Sequence, residues 1–136
     1  MSVAGPEGFE HLKPKNEYRY EEPDAGILET FDSPDNLSEV TYRSDEVTAL
    51  CPITGQPDYY VVEIMLYDNS KCLESKSLKL YLGSFRSHGG FGEALATRIA
   101  EDVAHVIAPG GVRVIVTQKP RGGISIVSTA SRFGLC

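Results

Sequence analysis

Cys51 opens the run Cys51-Pro52-Ile53-Thr54-Gly55-Gln56-Pro57-Asp58, and Asp58 follows it by seven positions. A thiol with a carboxyl group nearby is a nucleophile with its own proton acceptor or donor. The prolines and the glycine between them mark a turn, and a turn here folds one side chain toward the other. Both residues also have plainer readings. Cysteine is often a small buried hydrophobe, and aspartate beside a turn is often an Asx turn or a solvated charge. No histidine is near in sequence, so a Cys-His hydrolase is not indicated.

Two further stretches carry charge suited to a ligand. Glu74-Ser75-Lys76-Ser77-Leu78-Lys79-Leu80-Tyr81 reads as a helix start, with an acid in the first turn where the helix dipole favours it. Lys76 and Lys79 share one face at helical spacing and can reach a single phosphate group, or can simply be a wet face. Lys76, Lys79, Gly83 and Arg86 lie on one stripe, and Leu78, Leu82 and Phe85 on another. In Arg86 to Glu93, Gly89, Gly90 and Gly92 let the backbone approach a ligand closely. No strand precedes them, so this is not a dinucleotide fingerprint. Glu93 has two acceptor oxygens that match the paired N–H donors of a guanine-like edge, or is a helix-start acid only. Lys119 and Arg121, beside Gly122, can touch an anion or merely flank a hairpin turn. His11, His88 and His105 lack ligand spacing, and no metal is expected.

The elements that must position these groups follow from the pattern. Residues 39–50 and 59–67 read as strands rich in β-branched and aromatic residues, joined by the Pro52–Pro57 turn into an antiparallel hairpin. The Leu78 stripe predicts a first helix, broken by Ser87-His88-Gly89-Gly90. Leu95, Ile99, Val103, Val106 and Ile107 predict a second, closed by Pro109-Gly110-Gly111. Residues 112–117 and 124–128 are strands about a Pro120–Gly123 turn. The order ββααββ, with helices and hairpins segregated, argues α+β with a four-stranded antiparallel sheet and both helices on one face. Exposed edges and an uncovered second face predict self-association.

The chain has 136 residues, about one domain. Its net charge of -6 comes from 13 basic and 19 acidic residues, and residues 1–37 alone hold nine acids and three bases. That proline-bearing stretch is expected to be an acidic N-terminal arm, with residues 38–136 as the catalytic domain. Tyr18, Tyr20, Ile27, Leu28 and Phe31 can dock the arm on the domain or on a neighbouring subunit. Residues 71–132 carry nine bases and four acids, which suits a small anion better than a nucleic acid. No apolar run reaches the ~20 residues of a membrane span, and no secretory leader is visible. Cys51, Cys72 and Cys136 do not make a disulfide framework, and a cytoplasmic protein with reduced thiols is expected.

Taken together the motifs resemble the QueF family of queuosine-pathway nitrile reductases. Leu50–Asp58 resembles the catalytic segment, Glu74–Tyr81 the signature associated with NADPH, Ser84–Glu93 the next block and Pro120–Ile124 the last. The likeness spans about residues 38–130 and implies the single-domain form. It implies a tunnelling fold (T-fold), assembled as a homo-oligomeric ring with sites between subunits. It implies reduction of 7-cyano-7-deazaguanine to 7-aminomethyl-7-deazaguanine with NADPH as cofactor, without direct nucleic-acid binding. By the same resemblance Cys51 forms a thioimidate and Asp58 shuttles the proton. Glu93, with Gly92 and His88, holds the substrate. Glu74, Ser75, Lys76, Lys79, Arg121 and Gly122 form the cofactor face. Gly92 stands where most of the family has histidine, and Leu95 replaces a usual cysteine; water, His88 or another subunit can compensate for the imidazole.

Two other readings compete. A QueF-like amidinotransferase would pass ammonia to the same thioimidate on a deazaguanine within tRNA, giving archaeosine; the complete Glu74–Tyr81 signature argues against it. A module that only binds a deazapurine or pterin would need neither Cys51 nor Asp58.

Overall fold

Strand alternation organises the molecule. In Pro57–Tyr67, residues Asp58, Tyr60, Val62, Ile64 and Leu66 are buried while those between them are more open. This is the period of two that sends successive side chains to opposite faces. The computed structural model describes residues 22–107 and 110–135. In chain order the strands are β1 (Thr30–Asp32), β2 (Glu39–Leu50), β3 (Pro57–Tyr67), β4 (Lys71–Leu73), β5 (Gly110–Arg121) and β6 (Ile124–Leu135). The helices are α1 (Ser75–Gly83) and α2 (Gly92–Ile107). Strands β2, β3, β5 and β6 form a four-stranded antiparallel sheet in that order. The α+β class and the ββααββ order are as expected.

The core lies between one face of that sheet and the helices. Leu95, Ile99, Val103 and Ile107 of α2 recur every four residues and are buried with Val62, Ile64, Val112, Val114 and Val116. Each such side chain contributes about 1.5–3 kcal/mol when removed from water. Tyr81 of α1 ties the two helices together. Its hydroxyl donates to Asp102 Oδ2 at 2.6 Å, and the same oxygen accepts from Arg98 Nε at 2.8 Å. Burial, and then the Asp102 carboxylate, push the Tyr81 hydroxyl pKa upward, so it stays a donor.

Helix α1 stops at Gly83, short of the break expected at Ser87. Glycine weakens the last turn, and the Ser84 hydroxyl donates to Tyr81 O in competition with the helix ladder. Residues 84–88 then descend in turns, with Phe85 N donating to Leu82 O and His88 N to Phe85 O. Phe85 still fills the core, edge-on to both Tyr81 and His88. Strands β5 and β6 run longer than their apolar stretches because the ladder continues to Arg121↔Ile124. Pro120 is tolerated at a register shift between Gln118 and Arg121. Gly122 and Gly123 turn the hairpin with φ of +59° and +79°, a conformation that costs glycine nothing.

A second, two-stranded sheet was not foreseen: β1 pairs with β4. Three-residue strands show no readable period. This pairing brings part of the acidic stretch onto the domain. Leu28 is buried and Ile27 packs on the core, while Phe31 stays half exposed. Tyr18, Tyr20 and Cys136 lie outside the described residues. Among the described residues no helix is long and apolar enough to cross a membrane.

Phe85 supports the descent from α1 to His88. Phe85→Ala is expected to lower the unfolding free energy by about 3–5 kcal/mol, read from urea denaturation, with Phe85→Leu losing less.

Candidate active site

The β2–β3 hairpin sets the first two groups. Leu50 pairs with Pro57 and Ala49 with Asp58 across the turn. Cys51 N donates to Gln56 O at 2.8 Å, and Gly55 N donates back to Cys51 O at 2.8 Å. A third piece of chain joins the strand end. Leu50 N donates to His88 O at 2.8 Å and Gly90 N to Leu50 O at 3.0 Å, a short parallel bridge. The loop that leads into Gly92 and Glu93 is thereby clamped beside Cys51. His88 is partly exposed, Gly92 is buried, and Glu93 lies exposed in the first turn of α2.

Cys51 is 9% exposed and Asp58 3%. The Thr54 hydroxyl, with the backbone N–H groups of Thr54 and Ile53, holds the Cys51 thiol below its ordinary range. Burial and the Asp58 charge oppose this and are the smaller effects. Hydrogen bonds to the ionised form favour it, so the turn is a cradle for a thiolate. Arg121 reaches across from the end of β5. Its Nη1 donates to Asp58 Oδ1, and its Nη2 approaches Gln56 Oε1 at 3.3 Å. The guanidinium also interacts with Cys51, and Asp58, then Cys51, raise its pKa further. Arg121 thus sits on the thiol–carboxyl pair, away from the lysines with which the resemblance groups it. Gly122 lies in the hairpin turn next to it.

The other expected residues divide. A groove of about 950 Å³ runs between β2 and α1, and Arg43, Tyr59, Ser75, Lys79 and Arg86 line it. Its walls include Leu50 and Pro57, chain neighbours of Cys51 and Asp58, but neither of those two side chains. Lys76 is exposed and off the groove. Glu74 caps α1: its carboxylate accepts from Lys76 N at 2.8 Å and Ser77 N at 2.7 Å, which also lowers its pKa. Cationic Arg43, Lys79 and Arg86 around the groove fit a cofactor that carries phosphates. Among the described residues no cluster of potential metal ligands occurs.

A family model described as QueF-like protein matches residues 57–133. Among curated relatives, a protein of Anaeromyxobacter sp. is 43% identical over 76% of this chain and 86% of its own length. The chain belongs to the QueF family. That relative is named NADPH-dependent 7-cyano-7-deazaguanine reductase, as is one from Streptococcus mutans, 45% identical over 76% of this chain. The chain spans 65% of the length of the Streptococcus protein. A Bacteroides fragilis protein of the same name is 45% identical over 77% of this chain and 71% of its own. The crystal structure of the archaeosine synthase QueF-Like in the apo form superposes with a TM-score of 0.67. It is 22% identical and covers 75% of this chain and all of that one, a likeness of fold.

Within this QueF-family site three side chains escaped the sequence reading. Thr54 had a usable signal, a hydroxyl three residues beyond the nucleophile inside a tight turn. Gln56 had none. Tyr60 reads as one more aromatic in a strand, yet it sits inward two residues after Asp58. Thr54→Val removes the hydroxyl bond that does most to favour the Cys51 thiolate. The midpoint of the pH profile for Cys51 alkylation, followed by peptide mass, should therefore move upward.

Proposed function

We propose that this chain reduces the nitrile of 7-cyano-7-deazaguanine to the aminomethyl group with NADPH, through a thioimidate on Cys51. The observation that carries the reading is the thiolate cradle of Cys51 beside buried Asp58, which is paired with exposed Arg121. The names of the relatives support the substrate and the cofactor.

The chemistry follows from the residues. The Cys51 sulfur adds to the nitrile carbon: an S–C bond forms and one π bond of C≡N breaks. The thiol proton passes by way of Asp58 to the nitrogen, so no bare nitrogen anion forms. Arg121 orients the carboxylate and favours the ionised thiol. Glu93, beside His88 and the backbone of Gly92, receives the guanine-like edge. NADPH supplies one hydride per molecule, so two are oxidised for each nitrile, and two protons complete the amine. Lys79, Ser75 and Arg86 line the face suited to its phosphates. Glu74 contributes by fixing the start of α1, and Lys76 adds positive charge on the exposed side of that helix.

A homo-oligomer belongs to the same reading. Strand β6 lies at the sheet edge with Ile124, Val127 and Phe133 exposed, and a second copy can cover it. In the same reading residues 1–37 are an acidic arm and the chain from residue 38 is the catalytic domain. Cytoplasmic residence fits a mechanism that needs a reduced thiol.

Intact-mass analysis after mixing with the nitrile should give a covalent adduct, absent in Cys51→Ala. Adding NADPH should release the amine and consume two NADPH per nitrile. A stable adduct with no NADPH oxidation would reject the reductase. Product formed only with ammonia on modified tRNA would make the protein an amidinotransferase.

A further inference from the structure

Two tyrosines are fully buried on the helix side of the sheet, and they differ in one respect. Tyr81 donates to Asp102, as described. The Tyr60 hydroxyl is equally enclosed and has no hydrogen-bond partner among the described residues. Buried hydroxyls are nearly always paired, because leaving one unpaired forfeits its bond to water. Tyr60 could have been phenylalanine at no cost to packing.

Its surroundings give the hydroxyl a use. Tyr60 follows Asp58 on the same face of β3. Asp58, Glu93, Cys51 and Arg121 all act electrostatically on its oxygen. Its ring lies against Gly92, where a Cβ would come within 3.0 Å of Cε1, closer than real Cβ contacts tolerate without movement. Glycine at 92 is therefore what lets the ring stand at this wall of the site.

We propose that the Tyr60 hydroxyl is a substrate-contacting hydrogen-bond donor of this site, directed past the bare backbone of Gly92 to the nitrogen of the group bound at Cys51. The inference rests on the nitrile reading and extends it. As sulfur adds, the nitrogen gains the electron pair of the broken π bond and takes the proton relayed by Asp58. Tyr60 keeps its own proton throughout and donates a hydrogen bond only. Burial first, then the charges of Asp58, Glu93 and Cys51, push its pKa to about 12, so it is a neutral donor at any working pH. Donors preorganised toward developing charge in a water-poor site have large effects on rate.

Tyr60→Phe keeps the ring and deletes the donor. Its adduct with 7-cyano-7-deazaguanine, timed by quenched intact-mass analysis, should form roughly 10- to 100-fold more slowly than in the wild type. Its thermal unfolding should be unchanged or raised, since an unpaired buried hydroxyl is lost. Nitrile binding to Cys51→Ala should also perturb the near-ultraviolet tyrosine difference spectrum, and Cys51→Ala/Tyr60→Phe should lack that band. Gly92→Ala, which crowds the ring without touching the hydroxyl, should slow the same step. An adduct that forms equally fast in wild type and Tyr60→Phe overturns this role and leaves the nitrile reading intact. Should Tyr60→Phe not fold, a wild-type rate in Gly92→Ala overturns it instead. No adduct in the wild type overturns both.

Discussion

The site depends on two backbone hydrogen bonds that join the end of β2 to the loop before α2, Leu50 N to His88 O and Gly90 N to Leu50 O. They form an isolated parallel bridge, Leu50 with Gly89, beside a sheet whose described strands pair antiparallel. They bring two groups of candidate site residues together. The hairpin supplies sulfur and carboxylate, and the loop supplies His88, Gly92 and Glu93. Side chains at Gly89 or Gly90 are not needed for this; what matters is chain direction and close approach. Phe85 anchors the loop from beneath, so the bridge rests on core packing and not on loop conformation alone.

Around that frame, charge is arranged in opposition. The turn donates hydrogen bonds that favour a thiolate, while Asp58 disfavours a second negative charge close to it. Arg121 resolves the conflict by facing both groups. A buried carboxylate with its guanidinium partner removed would be an uncompensated charge, a costly state. The pair therefore keeps Asp58 ordered beside Cys51, where the proposed mechanism passes a proton. Lys79 and Arg86 line the groove instead, so the positive charge of the domain gathers at two separate places.

Much of this was legible in the residues. Alternation in 59–67 and the four-residue recurrence of Leu95, Ile99 and Val103 determine a strand and a helix whatever surrounds them. The Cys51–Asp58 turn was legible because proline and glycine announce it. What stayed hidden is what depends on distant partners. Arg121 meets Asp58 from 63 positions away, and no local pattern records that contact. The Glu74 carboxylate closes a helix start, a role its position allows alongside the cofactor face. The apolar spacing carries α1 on through Phe85, whereas Gly83 and Ser84 end the ladder. Tyr60 looked like core because it is core, except at one atom.

The long reach of Arg121 has a bearing on biosynthesis. On a ribosome the chain emerges from its N-terminus, so Cys51, Thr54 and Asp58 leave the exit tunnel well ahead of the hairpin at Gly122. Strand β5 must seat beside β3 before the guanidinium arrives. Until then the nascent polypeptide holds Asp58 without its guanidinium partner, and the candidate site is completed only after the hairpin at Gly122 has been made and seated.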